Sequence, residues 1–144
     1  MGTTNFQLDD LALQIKLKNY KPCRMKDELI GLKARNNECG IVNLNDSTIS
    51  EKDNKKYGHW VSYCKRDGKS YFFCSYGSPP PVEIIDYLGK PILTHNFQIQ
   101  PFGSTICGEL SILFLHFIMN NGLNYTDIIL DMFEMYSSSS SSDS

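Results

Sequence analysis

The sequence predicts a mixed helix-and-strand fold, and three runs of residues carry that prediction. His59–Cys64 and Ser70–Tyr76 are aromatic-rich runs joined by Lys65-Arg66-Asp67-Gly68-Lys69, a polar connector whose Asp-Gly pair signals a hairpin. Gly108–Asn120 is apolar on nearly every side, the pattern of a helix buried in the centre of a domain. Leu8–Lys18 sets Leu8, Leu11, Ile15 and Leu17 close to helical spacing. It reads as an amphipathic helix, with Asp9 and Asp10 suiting its positive end.

Pro22 breaks that first helix, and a loop-rich stretch follows. Gly40–Leu44 is a short β-branched run that reads as a strand, and Asn45–Tyr57 is polar and aperiodic, hence a surface loop. After the hairpin, Gly77-Ser78 and the run Pro79–Pro81 end the second strand. The prolines preset a helix over Val82–Leu88, which Gly89 closes. Thr94–Gln100 alternates in part and reads as a third sheet strand. Asn121-Gly122 stops the buried helix. A last helix spans Thr126–Tyr136, with Thr126 as its cap and Ile128, Ile129, Met132, Phe133 and Tyr136 on its apolar side. The reading is one domain over residues 1–136 and a disordered Ser/acid tail over 137–144.

Composition removes several function classes. With 41% hydrophobic and 21% charged residues, the 144-residue chain has an ordinary globular make-up. The five cysteines, Cys23, Cys39, Cys64, Cys74 and Cys107, are odd in number and form no C-x-x-C pair, so neither a zinc knuckle nor a thioredoxin motif is present. Residues 1–10 carry no secretory signal. The expectation is a reducing, intracellular setting in which the Asn124-Tyr125-Thr126 sequon goes unused. A net charge of −2 does not favour nucleic acid as a general partner. The local cluster Lys16, Lys18, Lys21, Arg24 and Lys26 reads as a solvated face. Leu110–Met119 is too short to span a bilayer, so no membrane partner is expected.

Cys107 is the first candidate for chemistry. It precedes a long apolar helix and follows Gly103-Ser104-Thr105. A thiol at a helix N-terminus feels the positive end of the dipole, which favours the thiolate. Gly108 beside it lets a substrate backbone approach. The plainer reading is a buried structural cysteine. His59 opens a strand after a long loop, where an imidazole can pair with a thiolate and later protonate a leaving amine. His95 competes for that role without supporting flanks, and His116 reads as a satisfied core residue. Gln100, seven residues before Cys107, carries an amide able to stabilise an oxyanion; otherwise it is a surface amide.

Taken in order, His59-Trp60, the aromatic strand running into Tyr76-Gly77-Ser78-Pro79-Pro80, Gln100 and Cys107-Gly108 resemble the adenovirus maturation protease (adenain) family. The form most similar is that of virophages and Maverick or polinton elements. Met25–Leu29 and Gly40–Leu44 fit the same lead-in, and the resemblance covers Leu8 to Met119. It implies an α+β cysteine-protease fold, a twisted mixed sheet packed on a central buried helix that starts at the nucleophile. It further implies His59 as base, Gln100 in the oxyanion hole and Cys107 as the acylated nucleophile, with Trp60 and Gly108 as substrate-cleft candidates. Its members cleave capsid and core precursor proteins at small-residue, Gly-rich sites, which places this chain in a virion or in host cytoplasm or nucleus. A monomer is expected.

One position departs from the family. Where it has an acid at the end of the aromatic strand, this chain has Cys74 followed by Ser75. Three readings follow: a working His59–Cys107 dyad, an acid supplied from elsewhere, or a weakened relative. The dyad is favoured, because thiolate–imidazolium pairs depend less on a third member than serine triads do. No cofactor is required by the sequence, and an activating peptide or nucleic acid stays open. Alternatives are a SUMO- or ubiquitin-like deconjugating protease and a catalytically silent capsid-associated relative. A metal site from His59, Cys64, Cys74 and Cys107 ranks low, because the spacings match no common zinc pattern, and none is expected.

Overall fold

A computed structural model describes residues 3–45, 58–101, 104–120 and 124–137. Helix α1 (Asn5–Gln14) leads into strand β1 (Tyr20–Met25) and a 3-10 turn (Lys26–Leu29). Then come β2 (Glu38–Asn43), β3 (Trp60–Arg66), β4 (Lys69–Phe73), α2 (Val82–Leu88), β5 (Ile92–Leu93), α3 (Cys107–Asn120) and α4 (Tyr125–Ser137). The strands form one mixed sheet in sequence order, parallel at β1–β2 and β4–β5 and antiparallel in between. The predicted hairpin is present. Asp67 and Gly68 both adopt positive φ (53° and 79°), as a two-residue turn matched to the strand twist requires.

Strand alternation divides the core in two. Trp60, Cys64, Tyr71 and Phe73 face α1, α3 and α4, whereas Val61, Tyr63, Phe72 and Cys74 face α2 and Leu29. α3 lies along β3 and is bolted to it twice: Ser62 Oγ donates to the Ser111 carbonyl at 3.2 Å, and Ser111 Oγ to the Trp60 carbonyl at 3.3 Å. The one small polar residue in the apolar helix therefore sets its height on the strand. Phe114, Leu115 and Ile118 are fully buried beneath it. Removing each from water contributes about 1.5–3 kcal/mol.

Several elements differ from the sequence expectation. α1 begins earlier, because Thr4 and Gln7 form a reciprocal capping box at its start. Asp9 is not in its first turn; its carboxylate accepts from the Tyr20 hydroxyl and the Cys23 N–H and ties α1 to β1. Pro22 does not open a loop but sits inside β1, at an edge strand's register shift where no ladder N–H is needed. Thr94–Gln100 is not a strand; the only pairing nearby is the two-residue β5. α4 is capped by Asn124, whose Oδ1 accepts the Asp127 N–H, not by Thr126. Glu109, His116 and Phe117 leave one side of α3 incompletely buried, and His116 bonds only Asn120 there. Arg24 leaves the expected basic face, lying against the Tyr87 ring and bonding the Tyr63 and Tyr87 hydroxyls beside buried Glu38. Most of the loop 45–57, the stop at 121–122 and the tail 138–144 fall outside the described residues. Among the described residues no helix is long and apolar enough to cross a membrane.

Candidate active site

The site forms at one end of the sheet, where β3 begins and β4 ends. Ser62 and Phe73 are the last register pair of the hairpin, and beyond them β4 gives way to a turn closed by the Gly77 N–H on the Cys74 carbonyl at 2.8 Å. The turn brings Cys74 to the imidazole: His59 Nε2 lies 3.3 Å from Cys74 Sγ. Tyr76 stacks on the imidazole, ring centres 5.0 Å apart. Ser75, next in the turn, bonds Gln100. Cys107 is the first residue of α3.

Cys107 Sγ sits against the backbone on both sides of His59. The Trp60 N–H donates to the sulfur at 3.4 Å, and the thiol donates to the Gly58 carbonyl at 3.8 Å. Gly58 is required there, since its φ is +128° and a Cβ would meet the Asn45 and Asn43 side chains at 2.5 and 2.9 Å. Among the described residues no hydrogen bond joins the His59 ring to Cys107. With Nε2 committed to Cys74, Nδ1 is the ring atom left for proton transfer.

Burial decides the charge state of the pair. It pushes the Cys107 thiol up, and the nearby Glu109 carboxylate adds to this, against the Trp60 and Gly108 N–H groups that favour the thiolate. Burial likewise pushes the His59 imidazole down. Both shifts favour neutral thiol and neutral imidazole. At the helix N-terminus, which favours the thiolate, desolvation is the larger effect on Cys107 and outweighs the amide contacts.

Gln100 is buried and held at both ends of its amide. Oε1 accepts from Ser75 Oγ at 2.6 Å, and Nε2 donates to the Ser104 carbonyl at 2.8 Å, three residues before the nucleophile. Among the described residues the buried Ser104 Oγ has no hydrogen-bond partner. Trp60 and Gly108 are packed inside the described structure. The Trp60 indole is 1% exposed and donates to the Thr3 carbonyl, and a Cβ on Gly108 would meet Leu8 and Trp60 at 3.1–3.3 Å. Both belong to the seam where α1 covers the start of α3. His95 packs on Phe73 and Phe97, and its Nδ1 contacts the Phe97 carbonyl. Cys64 lies four residues along β3 with its sulfur 3.3 Å from Met119 Sδ, and among the described residues no three ligands gather for a metal ion. Sequence reasoning missed Ser75, the Gly58 carbonyl and the stacking of Tyr76. Only Gly58, a glycine beside a candidate histidine, offered a local signal.

No protein-family model matches the chain, and no curated protein sequence matches it. In structure the chain is similar to the crystal structure of the ASFV pS273R protease, with a TM-score of 0.58 at 17% identity over 94% of this chain. The match spans 66% of that protease's length. The two share a fold of the α+β class, a mixed sheet flanked by helices.

Proposed function

We propose that the chain is a cysteine endopeptidase in which Cys107 attacks a peptide carbonyl and His59 carries the proton. The observation that carries this reading is the placement of Cys107 Sγ between the Gly58 carbonyl and the Trp60 N–H, directly against the His59 backbone. Support also comes from the fold, shared with a protein named as a protease. In the reaction the Cys107 proton passes to His59 Nδ1 as sulfur bonds the carbonyl carbon. The oxyanion takes its hydrogen bonds from the free Nε2–H of Gln100 and an amide at the start of α3. Collapse of the intermediate breaks the C–N bond. The amine leaves with the proton from His59, and water then hydrolyses the thioester by the same relay.

The neutral resting pair makes proton transfer depend on what binds. A substrate or an activating peptide that excludes water and seats the imidazole on the sulfur would shift the pair toward thiolate and imidazolium. The substrates proposed are precursor polypeptides, capsid or core proteins, cut at small-residue, Gly-rich sites. Cys107 is only 8% exposed, and a thiol so enclosed admits a slender chain more readily than a bulky one. Nucleic acid is disfavoured as a partner by the net charge of −2.

The test is incubation of wild-type protein and Cys107→Ala with a mixed peptide pool and with ubiquitin-like fusion proteins, products read by mass spectrometry. Cleavage of small-residue peptides by wild type alone supports the proposal. Cleavage confined to the folded fusions transfers the chain to the deconjugating proteases. Equal cleavage by both proteins, or none by either, overturns the endopeptidase reading.

A further inference from the structure

We infer that Ser75 is a positioning residue for catalysis: it clamps Gln100 so that the amide presents N–H, not C=O, to the developing oxyanion. The inference rests on the endopeptidase reading. Ser75 is fully buried and makes three contacts to one short segment. Its carbonyl accepts the N–H groups of Ile99 and Gln100 at 2.8 and 3.0 Å, and its hydroxyl donates to Gln100 Oε1 at 2.6 Å. Backbone and side chain of Gln100 are thus held by the residue next to Cys74.

An amide has two faces of similar shape and opposite polarity, so an unclamped glutamine can turn its oxygen where its N–H is needed. Here the hydroxyl of Ser75 occupies Oε1, and the Ser104 carbonyl takes one of the two Nε2 hydrogens. A flip would set Oε1 against the Ser104 carbonyl, acceptor on acceptor, and would make the buried Ser75 hydroxyl accept, taking from its hydrogen the acceptor it now has. The second Nε2 hydrogen stays free and has one direction. Donors held before charge develops need no reorganisation during the reaction, which is the source of their catalytic effect. The turn that follows β4, closed by the Gly77 N–H on the Cys74 carbonyl, sends Cys74 to the imidazole and Ser75 to the amide.

The experiment compares wild type, Ser75→Ala, Ser75→Thr, Gln100→Ala and the double variant Ser75→Ala/Gln100→Ala on a peptide cut by the wild type. A parallel assay measures Cys107 alkylation by iodoacetamide, a reaction that develops no oxyanion. Ser75→Ala is expected to lower kcat about tenfold with KM nearly unchanged, a fraction of the loss on deleting an oxyanion donor outright. Alkylation should keep its wild-type rate and pH profile. Ser75→Thr should recover most of the activity, and the double variant should be no slower than Gln100→Ala. Should Ser75→Ala fail to fold, Ser75→Cys, which keeps the volume and weakens the donor, replaces it. A Ser75 variant with wild-type kcat, an equal loss in alkylation, or a double variant slower than Gln100→Ala overturns the inference while leaving the endopeptidase standing. A wild type that cuts no peptide removes both.

Discussion

Replacing Cys74 by aspartate tests the charge balance of the site, because His59 Nε2 lies 3.3 Å from the Cys74 sulfur and, among the described residues, bonds no carboxylate. A carboxylate there would sit about 4 Å from an imidazolium, an attraction of about 4 kcal/mol at an effective dielectric of about 20. His59 is only half-buried, so solvent screening removes about half of this. The remaining ~2 kcal/mol raises the imidazole pKa and favours the thiolate–imidazolium population by about 30-fold. The direction follows from the resting state: burial holds His59 down and Cys107 up, and a new negative charge beside the ring opposes the first of these. Iodoacetamide labelling of Cys107, mapped by mass spectrometry across about pH 5 to 9, reads the effect. Cys74→Asp should label Cys107 up to about 30-fold faster near neutrality, with the onset at lower pH, and His59→Ala should erase the gain. Burying the carboxylate among Val61, Phe72 and Ile84 will lower the unfolding temperature, so circular dichroism must first show a folded variant. A folded Cys74→Asp that labels no faster, or a gain that survives His59→Ala, refutes the reasoning.

Cys107→Ala should abolish peptide cleavage at a cost of about 1 kcal/mol in stability, measured by a cleavage assay and urea unfolding together. Gly77→Ala should destabilise by about 2 kcal/mol or more in the same urea titration, since φ is +75° and the new Cβ would lie 2.7 Å from the Phe97 carbonyl oxygen. Glu38 is buried, which by itself raises a carboxyl, but hydrogen bonds from the Tyr63 and Tyr87 hydroxyls and the Arg35 N–H, with the charge of Arg24, hold it below its ordinary 4.5. Its ionisation stabilises the fold above that pH, and the contribution is lost as pH falls through the depressed folded value. Glu38→Gln should therefore cost about 1–3 kcal/mol at neutral pH, with the gap to wild type closing in acid; a constant gap would contradict the assignment.

Local chemistry made part of this molecule legible in the chain itself. The Asp67-Gly68 turn, the helix Val82–Leu88 with Gly89 after it, and the apolar run behind Cys107 follow from turn preference, proline and glycine geometry and periodicity, and each occurs with nearly the expected bounds. Such signals act within a few residues. The parallel pairing of β1 with β2 lies beyond them, because the backbone of Asn43 and Val42 decides whether Met25 and Arg24 form a strand. The same limit turned Thr94–Gln100 from an apparent strand into a segment held by Ser75 and Ser104.

For the site, it was the resemblance to the adenain family that named His59, Cys74, Gln100 and Cys107 as one set. Tertiary structure alone decided their surroundings. It buried Trp60 and Gly108 under α1, set Tyr76 on the imidazole and drew Ser75 to Gln100 across 25 residues. It also set burial against the helix N-terminus at the nucleophile. A helix N-terminus can be read from one stretch of sequence, but desolvation depends on every segment packed around the sulfur, and here that larger effect prevails.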